Sequence, residues 1–408
     1  MRLELVYFDA GGGHRSAATA LRESIHRQGF PWQVRLVNLQ EILDPIDIVR
    51  RLAGLRLQDL YNAVLRNGWT LGARHSLKLL QAVIRSYHPQ EVRLLREHWQ
   101  TTGPDLVVSL IPHFNRAIQE SVAAELPRTP FVTILTDLAD YPPHFWIEAP
   151  EQYYICGSDR AVEQARHSGI PEARIFQASG MIVHPRFYDP FLLDRAAERR
   201  RLGLDPAMPV GLVMFGGQGS NSMLEIARRV EASGLPVQLL LLCGRNPRLA
   251  AALRQLPSQF PRRVEEFTTE VPYYMRLADF FMGKPGPGSI SEALVMHLPV
   301  IVEENAWTLP QERYNAQWIR EREVGLVVRS FRQAASAIQT LLSGGTMARF
   351  QANAAALRNR AVFEIPVMLR QILEEAAPPP AASGTSNVRA SGTISMVHGS
   401  RPASSPST

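Results

Sequence analysis

Cysteine is almost missing from this chain: Cys156 and Cys243 are the two present among 408 residues, and they lie in different halves. Such a pair supports neither a disulfide framework nor a cysteine-rich zinc site, and it suits a reducing cytosol. Long apolar runs are missing as well. Stretches such as "VQLLLLC" at 237–243 have the length of a strand, short of the ~20 residues that cross a bilayer as a helix. Contact with a membrane is therefore expected only from its surface. The first residues carry Glu4 and Asp9 among apolar neighbours and show no signal-peptide cleavage pattern. Neither sign of charge dominates: Lys plus Arg number 44 and Asp plus Glu 38, a difference of 6, so overall charge gives no reason to expect nucleic acid as a partner. Aromatic residues are absent from 376–408, which is largely Ala, Pro, Ser, Gly and Thr. That composition cannot bury enough surface to offset its ordering entropy, and a disordered tail is expected there.

What is present is an ordinary globular composition, 45% hydrophobic and 20% charged, on a chain long enough for two domains. "RLELVYF" at 2–8 reads as a buried strand and 15–28 as a helix, with the three glycines 11–13 and His14 between them. Apolar strands "QVRLVNL", "DLVVSL" and "FVTILTD" follow, with helical patterns between most of them. From about 204 the same grammar restarts: "PVGLVMFGGQGS", "VQLLLLCGRN", "VEEFT", "FFMGKPGPGS" and "PVIVEE". Strands alternating with helices predict parallel α/β sheets. Two Rossmann-like domains are expected, 1–185 and 186–358, joined near "SGMIVHPRFYDP" at 179–190. "IPVMLRQILEE" at 365–375 reads as a closing helix.

Between strands, 48–87 carries seven Lys or Arg against one acid, Asp59, with Leu57, Leu60, Tyr61, Val64 and Leu65 on one helical face. A basic amphipathic helix can lie in an anionic membrane surface; packing against the sheet is the plainer alternative. Arg50, Arg51, Arg56, Arg66 and Trp69 are the candidate membrane contacts.

Glycine loops at 215–222, "FGGQGSNS", and 283–294, "GKPGPGSISEAL", each precede a helical pattern. Helix N-termini offer unpaired N–H groups and a positive dipole end to an anion. Neither loop has Walker A or dinucleotide-fingerprint spacing. Ser289 and Glu292 admit two readings, a capping box or a carboxylate that takes the hydroxyls of a ribose. "LPQERYNAQW" at 309–318 clusters Gln311, Glu312 and Asn315, which suits a hydroxyl-rich ligand, a helix cap being the alternative. "TDLADYPPHFW" at 136–146 ends a strand where open α/β sheets keep their sites, and its Asp137 and His144 are catalytic candidates beside the alternative of a solvated loop.

Taken together, "GGGHRSA", "TDL…W", "GGQGS", "KPGPGSISEAL" and "PQERYN", in this order over about residues 5–355, resemble the monogalactosyldiacylglycerol synthases and processive diacylglycerol glucosyltransferases of glycosyltransferase family 28. The resemblance implies a GT-B fold: an N-terminal Rossmann-like domain for the acceptor lipid, a C-terminal one for a UDP-sugar, and a final helix, 359–375, crossing back. It implies His14 as the base that deprotonates the lipid hydroxyl, with Asp9 to orient it and Gly12 and Gly13 beside the acceptor. Asp137 joins the catalytic set, and His144 and Trp146 the acceptor or membrane side. On the donor side it implies Gly217, Gln218, Ser220, Gly288 and Ser289 near the diphosphate, Glu292 on the ribose, and Gln311, Glu312 and Asn315 on the sugar. Pro287 departs from the family's usual loop and has no N–H to offer.

Displacing UDP by a neutral alcohol needs a base on one side and charge stabilisation of the leaving diphosphate on the other. An ordinary imidazole, with a pKa near ~6.5, suits the first task; helix N-termini with Arg245 or Lys284 suit the second, with no metal or other cofactor expected in the transfer step. The activity expected is inverting transfer of galactose or glucose from its UDP form to diacylglycerol, by an enzyme held peripherally on the cytoplasmic face of an anionic membrane. Alternatives are N-acetylglucosamine transfer to a polyprenyl diphosphate, a non-catalytic UDP-sugar sensor, and a sugar-nucleotide epimerase.

Overall fold

The computed structural model describes residues 1–9, 12–46, 73–141, 144–149 and 151–376, with backbone alone for 73–86. The candidate tail at 377–408 and the membrane candidates Arg50, Arg51, Arg56, Arg66 and Trp69 lie outside the described residues.

Two parallel six-stranded sheets organise the chain. The first contains β1 (Arg2–Tyr7), β2 (Gln33–Asn38), β3 (Leu106–Ser109), β4 (Phe131–Ile134), β5 (Tyr153–Cys156) and β6 (Ile175–Gln177), in the order β2-β1-β3-β4-β5-β6. The second contains β7 (Val210–Met214), β8 (Gln238–Leu242), β9 (Arg262–Glu265), β10 (Phe280–Gly283), β11 (Val300–Glu303) and β12 (Gly325–Val328), in the order β12-β11-β10-β7-β8-β9. Every residue of β3, β4, β7, β8 and β10 is buried. A parallel sheet is covered on both faces, which is why these strands read as unbroken apolar runs. Neighbouring Val107 and Val108 accordingly belong to different core clusters, one on each face of the first sheet.

Strand order reverses between β1 and β3 in one sheet and between β7 and β10 in the other. Chain segments leaving such a pair diverge and open a crevice beyond the carboxyl ends of the strands. The three glycine loops follow β1, β7 and β10, so all three stand at these two crevices.

The helices that position the site are α1 (Gly13–Arg27), α2 (Ala73–Thr102), α3 (Asn115–Glu125), α4 (Ser222–Ser233), α5 (Pro287–Val295), α6 (Arg313–Glu321) and α7 (Ala361–Ala376). Helix α2 runs unbroken through 87, where the basic segment was expected to end, and its Leu95 and Trp99 pack under the first sheet. Its C-terminal part is therefore ordinary domain packing. Helix α7 follows the second sheet in the chain yet packs on the first. Ala361, Ile365, Leu369 and Ile372, spaced to share one helical face, join the cluster that holds Leu3, Leu5 and Leu21. The Ser24 hydroxyl donates to the Val362 carbonyl at 2.6 Å and the Asn359 amide to the Met181 carbonyl at 2.9 Å.

Candidate functional site

At the first crevice, Gly12 takes φ 78°, a left-handed conformation that suits glycine, and caps α1; Gly13 begins the helix. A side chain at either glycine would meet nothing within 4 Å, so the mouth of this turn is open. His14 stands half-buried on the first turn. Its Nδ1 lies 3.2 Å from Thr136 Oγ1, and its ring packs tilted against Trp146 at 6.0 Å between centroids. Desolvation lowers its pKa to about 4, opposed by a hydrogen bond to the Leu110 carbonyl. The imidazole expected to titrate near its ordinary value is thus corrected to one that stays neutral through the physiological range.

Asp9 does not appear among the groups on that ring; its carboxylate pairs with Arg15 at 3.1 Å, both side chains being well exposed. Thr136, Trp146 and the Leu110 carbonyl hold the imidazole instead. Sequence reasoning passed over Thr136, whose one signal is that it ends the β4 stretch beside Asp137.

Trp146 is fully buried, so it cannot enter a lipid headgroup layer; it is a partition wall. One face meets His14, and its indole N–H donates to Asp137 Oδ2 at 2.9 Å. Asp140 holds the turn that delivers it, accepting from the N–H groups of His144 at 2.9 Å and Trp146 at 2.6 Å. His144 is exposed, adopts φ 63°, and directs Nδ1 to the Ile147 carbonyl at 3.2 Å, which makes it a turn residue here.

Asp137 is 8% exposed, and burial raises its carboxyl to about 7; the indole bond and Lys284 oppose the rise, while Glu312 and Asp140 add to it. Lys284 and Glu312 belong to the second sheet, following β10 and β11. The carboxyl ends of the two sheets therefore face each other across a cleft, with His14, Asp137 and Trp146 on one wall.

On the other wall, the loop after β7 turns through Gly216 and Gly219, with φ 74° and 65°. A side chain at Gly219 would lie 2.5 Å from the Cys243 carbonyl, so glycine is required there. Gly217 and Gln218 are exposed; the Gly217 carbonyl accepts from the Arg245 N–H at 2.8 Å and the Gln218 carbonyl from the Asn246 amide at 3.4 Å. Ser220 Oγ accepts from the Ser222 N–H at 3.2 Å, occupying one donor at the start of α4. The Arg245 guanidinium overhangs the loop and stacks on Phe267 at 3.9 Å; this ring is 50% exposed and no sequence pattern marks it.

Helix α5 removes the capping-box reading of Glu292. Its N-cap is Gly286, with no side-chain cap, and the Ile290 N–H makes the intrahelical bond to the Gly286 carbonyl at 3.1 Å. Ser289 is then the third helical residue, and the capping box does not form. Pro287 occupies the first position, where an N–H is unpaired in any case, so Gly288 and Ser289 still present theirs. The Glu292 side chain makes no hydrogen bond among the described residues, and burial raises it to about 7. Glu312, 7% exposed, pairs with Lys284 Nζ at 3.3 Å. Asn315 is fully buried and donates to the Pro285 carbonyl at 2.8 Å, tying α6 to the loop after β10. Gln311 Oε1 and Asn315 Oδ1 are buried acceptors with no donor among the described residues.

Residues 212–361 match the family model of the glycosyltransferase family 28 C-terminal domain. The match spans nearly all of the second sheet and its helices. Over 396 residues the chain is 27% identical to monogalactosyldiacylglycerol synthase 2, chloroplastic, of Arabidopsis thaliana, covering 91% of this chain and 80% of that one. It is 26% identical over 354 residues to the monogalactosyldiacylglycerol synthase of Spinacia oleracea, covering 83% and 65%. Among solved structures it superposes on MurG of Acinetobacter baumannii with TM-score 0.58 and 12% identity, covering 91% of this chain and 99% of that one. On the UDP co-structure of S. aureus MnaA the TM-score is 0.59, again at 12% identity, covering 92% and 97%. At such identity these likenesses carry the fold alone, and the fold is GT-B. The resemblance read from the sequence stands, and the two crevices face each other across the cleft between the two sheets.

Proposed function

We propose that this glycosyltransferase moves galactose or glucose from UDP to the free hydroxyl of diacylglycerol, with inversion, while docked peripherally on the cytoplasmic face of an anionic membrane. The observation that carries the reading is the pairing of walls. A neutral imidazole at the mouth of an open glycine turn faces two glycine loops, unpaired helix N–H groups, a cation and a carboxylate without a partner. His14 takes the acceptor proton as the hydroxyl oxygen attacks the anomeric carbon; the carbon–oxygen bond to UDP breaks on the opposite face. The N–H groups of Gly288 and Ser289, with Arg245 and Lys284, receive the charge that develops on the diphosphate, so the transfer step is read without a metal. Glu292 suits the ribose hydroxyls, and Gln311, Glu312 and the buried acceptor atoms beside them suit those of the sugar. The named relatives support a galactolipid product. Among the described residues no helix is long and apolar enough to cross a membrane, which accords with surface docking.

Incubation with diacylglycerol vesicles and each UDP-sugar in turn, followed by lipid separation and anomer assignment, tests this directly. A β-galactosyl or β-glucosyl diacylglycerol is expected. Transfer only from UDP-N-acetylglucosamine to a polyprenyl diphosphate, or UDP binding without any transfer, would replace the reading with one of its rivals.

A further inference from the structure

Two nearly buried carboxylates, Asp137 at 8% exposure and Glu312 at 7%, stand one on each wall of the cleft. Lys284 pairs with Glu312 at 3.3 Å, and its charge reaches Asp137 at longer range. The remaining groups around Asp137 are accounted for. Trp146 donates to its Oδ2 at 2.9 Å, Asp140 on its own loop is held by the N–H groups of His144 and Trp146, and His14 stands behind the indole. Lys284 is two residues from the N-cap of α5, and its side chain is 40% exposed while that of Glu312 is 10% exposed. The cation is thus the movable member of the cluster, and it lies beside the N–H groups read as the diphosphate site.

We infer that a nucleoside diphosphate entering the glycine loops draws Lys284 off Glu312, and that the carboxylate pair left behind takes up one proton from solvent, carried by Asp137. The inference rests on the reading of those loops as a diphosphate site. Two carboxylates that lose the cation near them as a polyanion arrives cannot both remain ionised in a buried site. Protonation removes a negative charge facing the donor, and the carboxyl keeps one oxygen for the Trp146 indole, which also packs on His14. The same carboxyl is already raised to about 7 by burial, so little is needed to hold the proton at neutral pH. Asp137 thereby acts as a positioning residue that compensates charge, beside the base rather than as the base.

Calorimetric titration of the full chain with UDP at pH 8, where the terminal phosphate of UDP is already ionised, tests this in buffers of different ionisation enthalpy. The dependence of the observed heat on the buffer's enthalpy counts protons. Wild type is expected to take up close to one proton at pH 8 and fewer at pH 6, and its affinity to weaken as pH rises through this interval, approaching about tenfold per pH unit near pH 8. Asp137→Asn, which keeps the indole bond, is expected to bind UDP with no more than a small residual uptake. Lys284→Gln, in which the pair has lost its cation beforehand, should show reduced uptake too. Buffer-independent heat in wild type, or undiminished uptake in Asp137→Asn, overturns the inference while leaving the donor site standing; failure of wild type to bind UDP overturns both.

Discussion

His14 is held by a hydroxyl, a carbonyl and an indole face rather than by a carboxylate, and so it is a weak base kept free of protons and ready to accept one. Its replacement should therefore cost catalysis and not donor binding. His14→Ala is expected to lower turnover by about 10²–10⁴-fold with UDP affinity unchanged by calorimetry; near-normal turnover in the folded variant would remove the base assignment. Glu292 makes the opposite case, a carboxylate that does nothing for its own helix. Glu292→Gln should weaken UDP binding while leaving the melting temperature in place, and equal affinity would return this residue to a structural role. Both side chains stood out in the sequence as candidates because each follows a glycine turn, although for Glu292 the sequence left the capping box as an equal reading. The partners were not. Asp9 lies closer to His14 in sequence than Thr136 does, yet an exposed arginine one residue past His14 captures it, and nothing in the spacing of residues 9 to 15 reveals that choice.

At the scale of elements, α2 and α3 meet in a way that makes the acceptor half sensitive to pH. Glu148 accepts from the first N–H groups of α3, Asn115 at 2.8 Å and Arg116 at 3.4 Å, where the helix dipole favours a negative charge. Glu91 on α2 is 3% exposed, its Oε2 has no hydrogen-bond partner among the described residues, and burial beside Glu148 raises it to about 8. An unfolded glutamate ionises near ~4.3, so between that value and 8 the folded state holds a proton that the unfolded state has released. Stability from this residue is fully present below the lower value and is lost as pH rises through the upper one. Thermal melts should show Glu91→Gln gaining on wild type steadily from pH 5 to pH 8; parallel curves would mean that the carboxyl is not proton-bearing. Buried central strands such as "LVVSL" and "LVMF" announced themselves because both faces are covered. Strands β5, β6 and β12 were not singled out; β6 has three residues, and β6 and β12 stand at sheet edges where most side chains are only partly buried.

For the whole molecule, the proposed acceptor is dissolved in a bilayer and the proposed donor in water, so on that proposal the cleft must work at their boundary. If the basic segment of 48–87 docks there, it supplies up to ~1 kcal/mol per cationic side chain near an anionic surface, a contribution that salt screens. Sedimentation with vesicles is expected to rise with phosphatidylglycerol content and fall as salt is added. Replacing Arg50, Arg51, Arg56 and Arg66 together by Gln should reduce it without touching UDP affinity; equal sedimentation with neutral and anionic vesicles would assign the segment to packing alone. The two-sheet plan was readable from the restart of strand, glycine loop and helix after residue 204, whereas the facing of Asp137 toward Lys284 and Glu312 was not, since it joins residues far apart in the chain that share no pattern. The return of α7 to the first sheet has one more consequence, and it concerns time. Leu3 and Leu5 are synthesised long before Ile365, Leu369 and Ile372, the side chains that complete their core. A chain halted after residue 358 should bind a dye specific for exposed apolar surface far more strongly than the full chain, while still binding UDP through its second sheet. The first-sheet core is begun before the second sheet is made and closed only after it, so a chain cut short during synthesis would carry a finished second half beside an unfinished first one.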